Sequence, residues 1–179
     1  GRLEPAKNFA ILLNAFAIVH RRHPEWTMRV IGDGSQREEL RAQVRRLGLS
    51  HRVSLPGTVT PVDREWAAGG IAALSSDFES FGLTVIEAMH FGLPVVSTDC
   101  RYGPPELITH GEDGLLCPVG DADRLGAALC RFIEDRELRR RCSRAARRTA
   151  ERYVPEQVVV EHEKLFNHLL ESRTLPASA

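Results

Sequence analysis

The chain has 179 residues, 42% hydrophobic and 27% charged, the balance of one folded domain rather than a disordered or fibrous chain. Lys plus Arg and Asp plus Glu each total 24, so net charge makes no case for nucleic acid. Cys100, Cys117, Cys130 and Cys142 have no Cys-x-x-Cys or zinc spacing and read as reduced thiols of a reducing compartment. No apolar run approaches the roughly 20 residues of a membrane span, and no signal-peptide pattern appears. The chain opens at Gly1 inside a turn, which reads as a piece of a longer protein.

In chain order, Phe9, Leu12, Leu13, Phe16 and Val19 recur at helical spacing, predicting a helix that Pro24 ends. Met28 to Ile31 is a short strand, and Gly32-Asp33-Gly34 a turn. Ser35 with Glu38 reads as a capping box for a helix to about Leu47, stopped by Gly48. Val53 to Leu55 is a strand, and Asp63 begins a brief helix near Trp66. Ile71 to Ser75 is a third strand, followed by a loop and a helix that Gly92 closes. Pro94 to Thr98 is apolar enough for a strand covered on both faces.

A Gly-Pro-Pro turn then leads to a short helix at about Glu106 to Thr109, and Gly114 to Cys117 is a fifth strand. Asp121 caps a helix to about Ile133, and helices at about 136–152 and 156–171 complete the domain. Residues 173–179 read as a frayed polar tail. The alternation implies an α/β class with right-handed βαβ units, a Rossmann-like open parallel sheet and helices on both faces. Ligands of such sheets bind outside the strands' carboxyl ends.

The turns at those ends hold the candidate residues. Gly32-Asp33-Gly34-Ser35 lacks the third glycine of a dinucleotide fingerprint, because Arg37 takes its place. No acidic residue ends the next strand, so hydride transfer is disfavoured. Glu79 precedes a Phe81-Gly82-Leu83 turn, and Glu87 rides the helix after it. Gly82 would let a ligand approach the backbone, and the helix start offers free N–H groups to an anion. Glu87 alone reads better as a solvated helix glutamate and Glu79 as a favourable charge near a helix N-terminus, and periodicity does not decide between these readings and a ligand. Arg2 and Lys7 flank a turn before a helix, which suits a diphosphate or two exposed cations.

Eight arginines between Arg136 and Arg152 suit an anionic membrane or nucleic acid. A solvated face is the better reading, since no aromatics interleave. The scattered histidines suggest no metal site, and no nucleophile signature appears.

Taken in order, "GRLEPAKN", "VIGDGSQREEL", "RVSLPGTV", "ESFGLTVIEAMHFGLPVVSTD" and "GPPELITHGEDGLLCPVGD" resemble the C-terminal, donor-binding domain of retaining GT-B glycosyltransferases of family 4. The resemblance covers residues to about 170, and the block with both glutamates is its most specific part. It implies a single nucleotide-sugar-binding domain over 1–172, with the acceptor-binding N-terminal domain and the strand before Gly1 absent. It assigns Arg2 and Lys7 to the diphosphate and Glu79 to the donor sugar. Phe81, Gly82 and Leu83 meet the sugar and distal phosphate, and Glu87 the ribose. Gly34 faces the donor, and Val59 and Thr60 lie near the base.

The resemblance further implies a nucleotide-diphosphate sugar as donor substrate, no cofactor and no metal. The acceptor is a glycan, lipid or small molecule reached through the N-terminal domain. It implies no nucleic acid and a cytoplasmic place, with peripheral contact to the inner membrane face left open. A non-catalytic nucleotide-sugar-binding module and a GT-B-related epimerase remain the alternatives.

Overall fold

A computed structural model describes residues 1–173 of the protein. The elements run α1 (Phe9–Arg22), β1 (Met28–Ile31), α2 (Arg37–Arg46), β2 (Val53–Gly57), α3 (Asp63–Ala68), β3 (Ala72–Leu74), α4 (Leu83–His90) and β4 (Val95–Thr98). They continue with α5 (Pro104–Leu107), β5 (Gly114–Cys117), α6 (Ala122–Glu134), α7 (Arg136–Ala150) and α8 (Pro155–Arg173). The tail expected at 173–179 lies outside the described residues, apart from Arg173 at the end of α8.

Two differences from the sequence reading concern helix starts. Ser35 does not cap α2, whose N-cap is Gln36 without a side-chain bond. The Ser35 hydroxyl donates to Glu4 instead, at 2.7 Å. That contact ties the amino-terminal segment to the β1–α2 turn, a tertiary demand that overrides the local cap. The short helix after the Gly-Pro-Pro turn begins at Pro104 rather than Glu106. Proline suits a first helical position because its missing N–H has no partner to lose there.

All strand pairs are parallel, and side chains along them alternate between two cores. Val96 and Leu115 pack with α1, α2 and α6 residues such as Leu13, Phe16, Leu40, Leu125 and Phe132. Val95, Ala72 and Leu74 pack on the other face with Val85, Met89, Leu107 and Ala146 of α4, α5 and α7. β4 is buried at every position, which its apolar run requires.

The strands do not form one continuous sheet. β1 pairs only with β2, while β3, β4 and β5 form a second sheet in that order. A cavity of about 1160 Å³ separates the two, lined by Met28, Val30 and Ile31 of β1 and by Ile71 to Leu74 along β3. Phe16 of α1 and Leu129 of α6 also line it. Residues 1–8 bridge the carboxyl end of this slot. Gly1 and Leu3 donate backbone bonds to Ile31 and Asp33, at 2.7 and 2.9 Å. Those acceptors are two residues apart, as in a ladder continuing along the free edge of β1. Asp77, just past β3, donates to Ala6 at 2.9 Å.

Candidate active site

The site grows from the place where β3 stops. Beyond Leu74 the chain turns outward through Ser75 and Ser76 into a loop that carries Glu79. Glu79 is only 8% exposed, so its carboxylate needs partners. Its Oε1 accepts from Lys7 Nζ at 2.7 Å and from Ser76 Oγ at 2.8 Å. Thr98, at the carboxyl end of β4, donates to the Ser76 carbonyl at 2.6 Å and fixes that residue in turn. Ser75 Oγ donates to the Lys7 carbonyl at 2.9 Å, and Asn8 Nδ2 to Asp77 Oδ1 at 2.9 Å. The amino-terminal turn and the β3 loop thus hold Lys7 and Glu79 against each other. Glu79 Oε2 has no protein partner among the described residues and is open to a hydroxyl donor.

α4 begins at Gly82, whose φ of 92° lies in the left-handed region that glycine tolerates. No side chain caps this helix, so its first N–H groups are available to an anion. The loop after β4 closes against this turn. A Cβ on Gly103 would sit 2.7 Å from the Phe81 carbonyl oxygen and 3.2 Å from Glu79 Cβ, so only glycine permits the approach. Val85, Ala88 and Met89 bury one face of α4, and Glu87 is exposed on the other.

Arg2, Lys7, Glu79 and Glu87 come together, with Thr84 and Ser76, around the polar mouth of the cavity. Glu87 and Glu79 both lie within electrostatic reach of the Gly1 backbone nitrogen at the same mouth. Phe81 and Leu83 are exposed and Gly82 is buried; they run from the loop after Glu79 into the first residue of α4 without lining the cavity. Val59 and Thr60 do not line it either. Nor does Gly34, whose missing side chain has another cause: a Cβ there would meet the Leu3 backbone at 2.6 to 2.8 Å.

Sequence reasoning missed Ser76, Thr84, Thr98 and Gly103. A hydroxyl three residues before Glu79 and another at a strand end were visible signals, but small polar residues are common in such turns.

Away from this mouth, His23, Cys130 and Glu134 place one ligand-type atom each within 4.8 Å of one another, a set that could hold a metal ion. Arg22 and His23 both contact Glu134 Oε1, at 2.7 and 2.8 Å, so the carboxylate is also satisfied by protein cations. All four cysteines are free and buried.

The family described as glycosyl transferases group 1 matches residues 1–149. The chain belongs to this family. This group 1 glycosyltransferase domain is 38% identical over 176 residues to an exopolysaccharide phosphotransferase of Streptomyces coelicolor, covering 98% of the chain and 19% of that protein. It is 30% identical over 161 residues to an uncharacterized glycosyltransferase of Haemophilus influenzae, covering 90% of the chain and 46% of that protein. Its fold superposes on the crystal structure of Anabaena HepE in complex with UDP with a TM-score of 0.84 at 30% identity, covering 96% of the chain and 47% of HepE. HepE is also solved in complex with UDP-glucose. The chain therefore spans less than half the length of each of these proteins.

Proposed function

We propose that this domain binds the nucleotide-diphosphate sugar of a retaining GT-B glycosyltransferase of family 4 and presents it to an acceptor. The observation that carries the reading is the Lys7–Glu79 pair, held by Ser75 and Ser76 at the carboxyl end of β3 beside Arg2, Glu87 and the uncapped start of α4. The UDP-glucose complex of the Anabaena relative supports a uridine donor.

In this reading Arg2 and the two uncommitted N–H groups of Lys7 bind the diphosphate. Glu79 Oε2 accepts from a sugar hydroxyl, and Glu87 from the ribose. Backbone groups of Phe81, Gly82 and Leu83 meet the distal phosphate and sugar, Gly34 faces the donor, and Val59 and Thr60 lie near the base. When the bond from the anomeric carbon to the phosphate oxygen breaks, its electron pair stays on the diphosphate. Arg2, Lys7 and the helix start stabilise that growing charge more than they stabilise the ground state. The acceptor hydroxyl attacks from the same face, the departing phosphate takes its proton, and configuration is retained. No step needs a metal.

An upstream half supplies the acceptor site, and a strand from it fills the slot between β1 and β3. The relatives' names favour neither the epimerase nor the non-catalytic module.

The test is to restore the upstream half, supply UDP-glucose and a glycan or glycolipid acceptor, and identify the released nucleotide. Glycosyl transfer breaks the sugar–phosphate bond and releases UDP. Sugar-phosphate transfer, which the name of the Streptomyces relative suggests, would break the phosphoanhydride and release UMP. UDP release lost in Lys7→Ala supports the proposal; UMP release, or turnover unchanged in Lys7→Ala, overturns it.

A further inference from the structure

α7 carries seven arginines and one glutamate in 15 residues, while the whole chain is neutral. Helical spacing divides them. Leu138, Cys142, Ala145, Ala146 and Ala150 face the core. Arg139 turns inward, donating to the Phe132 and Ile133 carbonyls at 2.8 and 3.1 Å and lying over Trp26. Arg136, Arg140, Arg141, Arg144, Arg147 and Arg148 are exposed together on the opposite arc, with only Glu137 among them.

None of these six takes part in an ion pair among the described residues. Elsewhere Arg22, Arg29, Arg37 and Arg41 each have a carboxylate partner. Arg136, Arg140, Arg144 and Arg148 follow one another at i, i+4, the spacing at which like charges weaken a helix. A face so arranged is unfavourable by itself and becomes favourable against a surface of opposite charge.

We infer that the outer face of α7 is a docking surface for an anionic lipid bilayer. A straight helix of 15 residues presents a row about 22 Å long, which suits a plane of phosphate headgroups. No aromatic side chain stands on the arc to stack with bases, so nucleic acid is the poorer fit. No apolar side chain stands there either, so attachment is electrostatic, without insertion. The inference rests on α7 alone and is independent of the donor-site reading.

The experiment is co-sedimentation of the 179-residue chain with vesicles of mixed phosphatidylglycerol and phosphatidylcholine. Binding is expected to these and not to pure phosphatidylcholine, with release as ionic strength rises from about 0.1 M to about 1 M. Each arginine near the surface contributes roughly a fivefold factor in partition, so Arg140→Gln/Arg144→Gln/Arg148→Gln should weaken binding about 100-fold. These side chains are exposed and their mutual repulsion is removed, so the variant should keep a Tm at or slightly above that of the wild type and the same UDP-induced Tm shift. Equal partition of wild type and variant, equal binding to neutral vesicles, or retention on nucleic acid but not on anionic vesicles would overturn the inference.

Discussion

The ammonium of Lys7 has three N–H donors and commits one to Glu79, which leaves two for phosphate oxygens. Lys7→Ala should weaken UDP binding to the domain by about tenfold or more, the scale of one charge-assisted hydrogen bond, read by calorimetry. Its Tm should fall modestly as well, because the nearly buried Glu79 carboxylate loses its cation and keeps the Ser76 hydroxyl.

Gly103→Ala tests the packing beneath the same loop. Its φ of 82° and the 2.7 Å approach to the Phe81 carbonyl make any side chain strained. A loss of about 1–3 kcal/mol in urea unfolding is expected, together with weaker UDP binding. Cys117 gives a pH prediction. Burial pushes its thiol up to about 12, so the native state favours the neutral form. The stabilisation is complete below the unfolded thiol's pKa of about 8.5 and is lost as pH rises toward 12. Tm measured between pH 8 and 11 should fall less steeply in Cys117→Ala than in the wild type.

Among the elements, α6 and α7 start where local chemistry says they should. Asp121 accepts from the Arg124 N–H at 2.8 Å, and Asp135 from the Leu138 N–H at 2.8 Å. Replacing either aspartate with alanine should cost about 1 kcal/mol of unfolding free energy, read from urea midpoints. α2 is the contrast. Ser35 and Glu38 have the right spacing for a cap, but Glu4 takes the serine hydroxyl. Gly34 repeats the point: its glycine looks like a ligand turn in sequence, yet the Leu3 backbone is what leaves no room for a side chain. Both features depend on a contact from more than 30 positions away that local spacing does not encode.

At the scale of the molecule, a slot of about 1160 Å³ divides the two sheets. Its walls are the unpaired edges of β1 and β3 and the apolar sides of α1 and α6. Unpaired edges beside apolar walls are satisfied by one more parallel strand. Joining an apolar strand-forming segment ahead of Gly1 should raise Tm and steepen the urea dependence of unfolding, since more surface is buried. An unchanged Tm and slope would mean that the slot does not accept a strand.

The sequence by itself determined the α/β class, the order of five strands and eight α-helices, and the pairing of a glutamate loop with a helix start. Those follow from apolar periods and turn residues, which are local physics. It also named Arg2, Lys7, Glu79 and Glu87, through the resemblance rather than through spacing. Only the tertiary structure decided that these four share one mouth, that Lys7 and Ser76 meet on one oxygen of Glu79, and that the sheet divides around a slot. Lys7 and Glu79 stand 72 positions apart, and strand order depends on which edges meet. Such long-range contacts are fixed by packing the whole chain, so no short window of sequence contains them.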